Sequence, residues 1–437
     1  MGQKHLNSIH VSHFKHTAGC ATEEMPLPDV VKISMSQHIG APCQPLVQKG
    51  DYVKVGQRIG DTDAFVSAPI HTGVSGTVTD IQQMRNAMGG YDTFVVIETD
   101  KKQEVSEEVK VPEEPKDLAE FVKAVRDSGI VGLGGASFPT HIKFNPKNLD
   151  EVHSLIVNAA ECEPFITSDH RCMLEQAEDI IDGCLLIMKY VGLDDCYIGI
   201  EENKMDAIEH LDKYIASRGI TNIKTFKLQA RYPKGAERVL VYEITGKTMA
   251  AGVLPADMGV ILDNVTTVAC VGKYFKTGMP LTFKRVTVDG DCVAVPKNVL
   301  CPIGTPVSDV VEFCGGYAKE PKKIVLGGPM MGRAIFSDEL PVVKNTSAIL
   351  CFGGAQKIVK EETACINCGR CHMACPVNLI PTALADAYER RDAQALSDLQ
   401  VMQCMNCGSC SYICPAHRPL ALMNSLGKNV VKEAGIK

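Results

Sequence analysis

The chain has 437 residues, 45% of them apolar, and a formal net charge of −7 at pH 7. That length sets an expectation of about three domains, and the acidic balance provides no basic footprint for nucleic acid. The most apolar stretch, Ile180 to Val191, is too short for a membrane span and carries Asp182 and Lys189, so any membrane role is expected to be peripheral.

Near the N-terminus, His5, His10, His13, Lys15 and His16 break up any signal-peptide core and read as a polar segment rather than a metal site. Residues 38–98 then read as short strands separated by Gly turns, from Val47 to Gly56 and again from Val66 to Val78. This stretch resembles the barrel-sandwich fold of biotinyl and lipoyl carrier domains. A carrier needs a lysine on the hairpin between the halves, and none lies between Asp61 and Gln83, so a docking or structural module is expected. Residues 99–117 are rich in Lys, Glu and Asp with Pro112 and Pro115, the composition of a solvated linker.

Helical periodicity begins at Leu118, Phe121, Val122 and Val125 and stops at Gly129. Strands are predicted at Leu155–Val157, Tyr197–Ile200, Ile223–Leu228 and Gly259–Leu262. Helices are predicted at Met173–Val191, Met205–Ile215 and Gly235–Ile244, with another after Leu262. Strand–helix alternation of this kind implies a parallel-sheet, Rossmann-like α/β domain. Residues 285–335 return to short strands and Gly turns, read as a small α/β or ubiquitin-like insert that resembles a β-grasp (SLBB-type) domain. The expected layout is multidomain α/β: 1–98 for the N-terminal segment and barrel-sandwich, 99–117 linker, 118–284 α/β domain, 285–354 insert, and 355–437 an α-helical, ferredoxin-like two-cluster domain.

Eight of the nineteen cysteines form two copies of one spacing. The first runs Cys365, Cys368, Cys371, Cys375 and Pro376; the second runs Cys404, Cys407, Cys410, Cys414 and Pro415. Three close thiolates, then a fourth followed by Pro, suit a [4Fe–4S] cube, whereas zinc usually takes two separated pairs. In two-cluster proteins the fourth Cys of each run ligates the other cube. Cluster one is therefore assigned Cys365, Cys368, Cys371 and Cys414, and cluster two Cys404, Cys407, Cys410 and Cys375. Iron–sulfur ligands beside eleven scattered cysteines fit a reducing compartment.

A second signal is the run Gly132-Leu133-Gly134-Gly135-Ala136-Ser137-Phe138-Pro139-Thr140-His141-Ile142-Lys143. Glycines let backbone approach a phosphate or an aromatic ring closely. The run follows a helix rather than a strand, so it is not a dinucleotide fingerprint. After the Leu155–Val157 strand come Asn158, Ala159, Ala160, Glu161, Cys162, Glu163 and Pro164. Together these segments resemble the flavin- and NADH-binding subunit of respiratory complex I. That resemblance implies FMN held by Gly132, Gly134, Gly135, Ala136, Phe138, Lys143 and Asn158, with Glu161 and Glu163 bordering the nicotinamide. It also makes Gly235-Ala236-Glu237 and Asp263-Asn264-Val265-Thr266 nucleotide-site elements, with Gly235, Glu237, Asn264 and Thr266 as contacts. Ala160, Ala236 and Asp263 depart from that family's pattern. Cys162 reads as packing, since no partner His lies near it in sequence.

Across the whole chain, this order of parts resembles the RnfC family, the flavin and iron–sulfur component of Rnf ferredoxin:NAD oxidoreductases, including the His10 to Thr17 opening. The resemblance implies a peripheral subunit on the cytoplasmic side of the cell membrane, working with other membrane and iron–sulfur subunits of that complex and indirectly with ferredoxin. Electrons would pass between the two clusters, non-covalent FMN and NAD(H). A cobalamin reductase with the flavin loop ahead of the barrel-sandwich, and a non-catalytic electron wire, are the alternatives.

Overall fold

The computed structural model describes residues 5–354 and 361–436; the expected boundary at 355 lies outside them. The α/β domain is built on four parallel strands ordered Ile223–Leu228, Asp195–Glu201, Ser154–Ala159 and Val260–Asn264. The Ser154–Ala159 strand buries side chains on both faces, as a central parallel strand must. Leu155, Val157 and Ala159 pack with helices Leu118–Asp127, Ala177–Val191, Met205–Ser217 and Val265–Thr277. Ile156 and Ala160 pack on the opposite side with Leu240 and Val241 of helix Glu237–Thr245.

The chain runs outward from the Ser154–Ala159 strand through two neighbours, then returns to its other side as Val260–Asn264. Strand order thus reverses there, which opens a crevice at the carboxyl ends of those two strands. Behind the sheet, helices Ala177–Val191 and Val265–Thr277 press together at two glycines. A Cβ on Gly183 would stand 2.2 Å from the Val268 carbonyl oxygen, and one on Gly272 would stand 2.1 Å from that of Asp179. The predicted Met173–Val191 helix is two helices, Ser168–Glu175 and Ala177–Val191, parted at Gln176 with φ −132°.

The β-rich stretch forms a four-stranded antiparallel sheet of Val30–Ser34, Tyr91–Thr99, Gly76–Arg85 and Tyr52–Val53, faced by the short strands Gln44–Pro45, Arg58–Asp61 and Ile70–His71. Val31, Ile33, Val53, Ile59, Ile70, Val78, Val95 and Ile97 fill the space between. The following segment is irregular yet stitched down, with Val55 N–H donating to Glu104 O and Ser106 N–H to Val55 O.

A six-stranded mixed sheet comes next, ordered Thr22–Glu24, Lys297–Pro302, Phe283–Asp289, Ala348–Phe352, Lys323–Leu326 and Arg333–Ile335. Its outer strand, Thr22–Glu24, comes from the N-terminal segment and pairs parallel with Asn298–Leu300. The cysteine-rich region is helical, with Arg370–Met373, Pro381–Glu389, Ala393–Asp398, Ser409–Ile413 and Leu420–Glu433 around Leu384, Leu396, Val401 and Val431. No helix among the described residues is long and apolar enough to cross a membrane.

Candidate functional site

Gly132 to Phe138 form a closed loop, because Gly132 N–H donates to Phe138 O at 2.9 Å and Leu133 N–H to Thr267 Oγ1 at 2.9 Å. The loop therefore leans on the N-terminus of helix Val265–Thr277, over the crevice. Its tip, Gly134, Gly135 and Ala136, is exposed, and Phe138 is half-buried. Gly134 is required by contact: an added Cβ would stand 2.8 Å from Asn264 Nδ2 and 3.0 Å from its Cβ. A Cβ on Gly135 would meet nothing within 4 Å, so open space lies beside that backbone.

Asn158 and Asn264 are register partners at the strand ends that flank the crevice. Asn158 Nδ2 donates to Gly235 O (2.8 Å), which brings the Gly235-Ala236-Glu237 turn to the same edge. Asn264 caps its helix, accepting from Thr266 N–H (3.0 Å) and Thr267 N–H, and donates from Nδ2 to Asp169 (2.7 Å). Thr266 Oγ1 donates to the other oxygen of Asp169 at 2.6 Å. Lys143 reaches in from the short helix Thr140–Lys143 and pairs with Asp263 at 2.7 Å, also donating to Leu262 O. Asp263 is fully buried and its second oxygen lacks a partner among the described residues. Burial pushes its carboxyl up, against the pull of Lys143; burial also raises the Glu237 carboxyl, which feels both of those charges. An exposed glycine edge with open space beside Gly135, and the Lys143 ammonium 3.8 Å from where a Gly132 Cβ would stand, suit a phosphate-bearing, ring-shaped cofactor such as FMN.

The two carboxylates expected beside the nicotinamide both accept from backbone N–H groups. Glu161, at φ +48°, turns its carboxylate onto the start of helix Ser168–Glu175 and accepts from Asp169 N–H (2.6 Å) and His170 N–H. Glu163 accepts from Met330 N–H (3.0 Å) and Met331 N–H (2.9 Å), docking the six-stranded domain onto the crevice loop. Burial pushes the Glu163 carboxyl up to about 7. Lys15 threads beneath, its ammonium donating to the carbonyls of Glu161, Glu163 and Ile166 at 2.5–2.9 Å. Lys204, also buried, donates to Ala160 O at 2.7 Å. Sequence reasoning noted Lys15 only as part of the N-terminal opening; no spacing rule links it to a loop so distant along the chain. Cys162 is buried among apolar groups, its thiol pushed well above the ordinary range, and its sulfur accepts from Gly235 N–H at 3.4 Å.

The eight cysteines of the two runs gather into two sets. Cys365, Cys368, Cys371 and Cys414 line one cavity, and Cys375, Cys404, Cys407 and Cys410 line a second. Each fourth cysteine thus stands with the other run, the pairing that two facing loops impose. Among the described residues no three His, Cys, Asp or Glu side chains converge closely enough to hold one ion. Four thiols about each of two cavities match the four-thiolate ligation of a [4Fe–4S] cube.

Family models match the chain in the same order: "RnfC Barrel sandwich hybrid domain" over residues 4–102, "Nuo51 FMN-binding domain" over 125–273, "SLBB domain" over 285–334 and "4Fe-4S dicluster domain" over 357–415. The chain is 42% identical over 377 residues to a subunit of the Na(+)-translocating ferredoxin:NAD(+) oxidoreductase complex of Acetobacterium woodii, covering 85% of each. It is 38% identical over 429 residues to the corresponding subunit of the ion-translocating oxidoreductase complex of Rhodobacter capsulatus, covering 97% of this chain and 82% of the relative. The chain belongs to the RnfC family. A chain of an NAD+-reducing [NiFe]-hydrogenase shares the fold at 18% identity and TM-score 0.50, over 73% of this chain and 62% of that one.

In this RnfC-family chain, the Cys407 set is the one next to the crevice. Cys407 shares an apolar cluster with Cys162, Tyr232, Ile9, Val11 and Ala374. The buried Tyr232 hydroxyl donates to Cys407 O at 2.6 Å. The other set faces outward, with Cys368 exposed.

Proposed function

We propose that this chain is the NAD(H)-reacting electron-transfer component of a ferredoxin:NAD+ oxidoreductase complex, with FMN in the crevice at the Gly132–Phe138 loop and a [4Fe–4S] cube on each cysteine set. Bound FMN exchanges a hydride with nicotinamide and single electrons with the cubes, a conversion neither partner performs alone. The observation that carries this reading is the placement of the Cys375, Cys404, Cys407 and Cys410 set one apolar layer from the crevice, with the second set beyond it at the surface.

In this reading Gly132, Gly134, Gly135, Ala136 and Phe138 form the loop against which the flavin lies. Lys143, Asn158, Gly235, Glu237, Asn264 and Thr266 supply or position the polar groups at its edge. Glu161 and Glu163 shape the loop beneath, and their bonds to Asp169, Met330 and Met331 support a role in holding the crevice open rather than in touching nicotinamide. No general acid or base is needed for hydride transfer; the protein aligns donor and acceptor. Cluster one, near solvent, meets the iron–sulfur subunit that relays electrons from ferredoxin. The complex sits at the cell membrane with this chain peripheral on the cytoplasmic side, and ion transport belongs to the other subunits. The finer fold reading, a Rossmann-like sheet at 118–284, a β-grasp-like insert at 285–354 and a ferredoxin-like pair of clusters at 355–437, belongs to the same proposal.

The test is an anaerobic titration of the reconstituted protein with NADH, following flavin and iron–sulfur absorbance together. Bleaching of both supports the full route within one chain. Clusters that respond to dithionite but not to NADH, despite bound flavin, overturn it and favour the wire or cobalamin readings.

A further inference from the structure

The two cysteine sets differ in what holds their backbone. Around cluster two, three ligand carbonyls accept from side chains outside the cysteine runs. Asn7 Nδ2 donates to Cys375 O at 3.1 Å, the Tyr232 hydroxyl to Cys407 O at 2.6 Å, and the Lys428 ammonium to Cys404 O. Arg238 donates to Gln403 O at 2.9 Å beside them. Around cluster one, no side-chain donor reaches the carbonyl of Cys365, Cys368, Cys371 or Cys414 among the described residues. The cluster-two donors arrive from the N-terminal segment, the loop before helix Glu237–Thr245 and the helix Leu420–Glu433, so tertiary packing, not the motif, assembles them.

Tyr232 has a second side. Its backbone exchanges both hydrogen bonds with Ile9 (2.8 and 2.9 Å), and its ring packs in the cluster that holds Cys162. Cys162 in turn accepts from Gly235 N–H, and Gly235 O accepts from Asn158 at the crevice. A dry, continuous path therefore runs from the crevice through Cys162 and Tyr232 to Cys407. Burial disfavours the extra negative charge of a reduced cube, whereas an ammonium and the positive ends of donor dipoles close by favour it through their field, even where, as here, they meet ligand carbonyls rather than sulfur.

We propose that Tyr232 is a positioning residue with a redox role: it docks cluster two against the crevice through Cys162 and, with Asn7 and Lys428, holds that cluster's potential above the value its burial alone would give. The proposal rests on the reading that FMN occupies the crevice. In the NADH-oxidising direction, NADH yields NAD+, one proton and two electrons; the proton leaves to solvent and the electrons cross this path singly, one for each cube.

The experiment is a redox titration of the anaerobic holoprotein, followed by electron paramagnetic resonance that separates the two cubes, on wild type, Tyr232→Phe and Lys428→Met. The cluster-two midpoint is expected to move negative in both variants while cluster one stays. On rapid mixing with NADH, flavin bleaching keeps its wild-type rate and cluster reduction slows several-fold. An unchanged cluster-two midpoint in variants with wild-type iron content overturns the proposal. If either variant loses cluster two, Asn7→Ala, which removes the donor to Cys375 O together with its bond to Asn378 Oδ1, decides in its place by the same midpoint. Failure of the FMN reading is distinguishable, because it shows in the wild type as absent flavin or absent bleaching.

Discussion

Clusters one and two are specified by the same cysteine spacing, yet the protein gives them opposite surroundings. In cluster one Cys368 is exposed, Cys365 and Cys414 are partly so and Cys371 is buried, whereas in cluster two Cys375, Cys407 and Cys410 are buried and Cys404 alone is partly exposed. Which cysteines gather follows from the two runs; environment is set by segments far away in sequence, such as those holding Asn7 and Tyr232. A cube near solvent can meet an external partner, and a buried one can exchange only with what is packed against it.

The harshest way to break this comparison is to remove a ligand that crosses between runs. Cys375→Ser is expected to abolish the buried cube and leave the outward one, with iron falling to about half and one paramagnetic signal remaining; Cys414→Ser should do the reverse. The opposite pattern would sink the crossed ligation. Next in size, Gly134→Val drives a branched side chain into Asn264, and flavin is expected to be lost while both cubes persist. Retained flavin would move the site away from this loop.

Lys15→Met leaves three carbonyls and the buried Glu161 carboxylate without their cation. A cost of about 3–5 kcal/mol is expected in denaturant unfolding, with the cluster-two signal lost at lower denaturant than that of cluster one, because the Glu161–Ile166 loop borders only the former. Coincident loss would mean that the loop does not support the buried site. The smallest effect concerns pH. The folded chain keeps the Glu163 proton up to about 7, the unfolded chain only to about 4.5, so the folded state binds more protons between those values and stability falls as pH rises through that window. Across the whole window the fall is on the order of 3 kcal/mol. Thermal midpoints from pH 5.5 to 8 should decline more in wild type than in Glu163→Gln; parallel curves would count against a proton held there.

Much of the fold was legible because its signals are local. The strand Ile223–Leu228 and the helix beginning at Leu118 follow from apolar periodicity alone. The crossed cysteine sets follow from spacing. Other features had no local signal. The strand Ala348–Phe352 is a short apolar run beside Gly353-Gly354, and the helix Leu420–Glu433 follows the cysteine runs with Gly427 inside it, so neither carries a strong pattern. The break at Gln176 is invisible in a continuous amphipathic pattern. Glu161 and Glu163 are expected at the nicotinamide border from residue type, which carries no signal for the backbone amides of Asp169, Met330 and Met331 that their carboxylates accept from.

The path of residues 5–24 has a consequence for synthesis. This segment supplies Asn7 to Cys375, Ile9 to Tyr232, Lys15 to the Glu161–Ile166 loop and Thr22–Glu24 to the sheet edge at Asn298–Leu300. Residues that leave the ribosome early therefore complete contacts whose partners are made late, so the domains can form in order but the molecule closes only afterwards. Until then the loops around cluster two lack the Asn7 and Ile9 contacts that the finished molecule has.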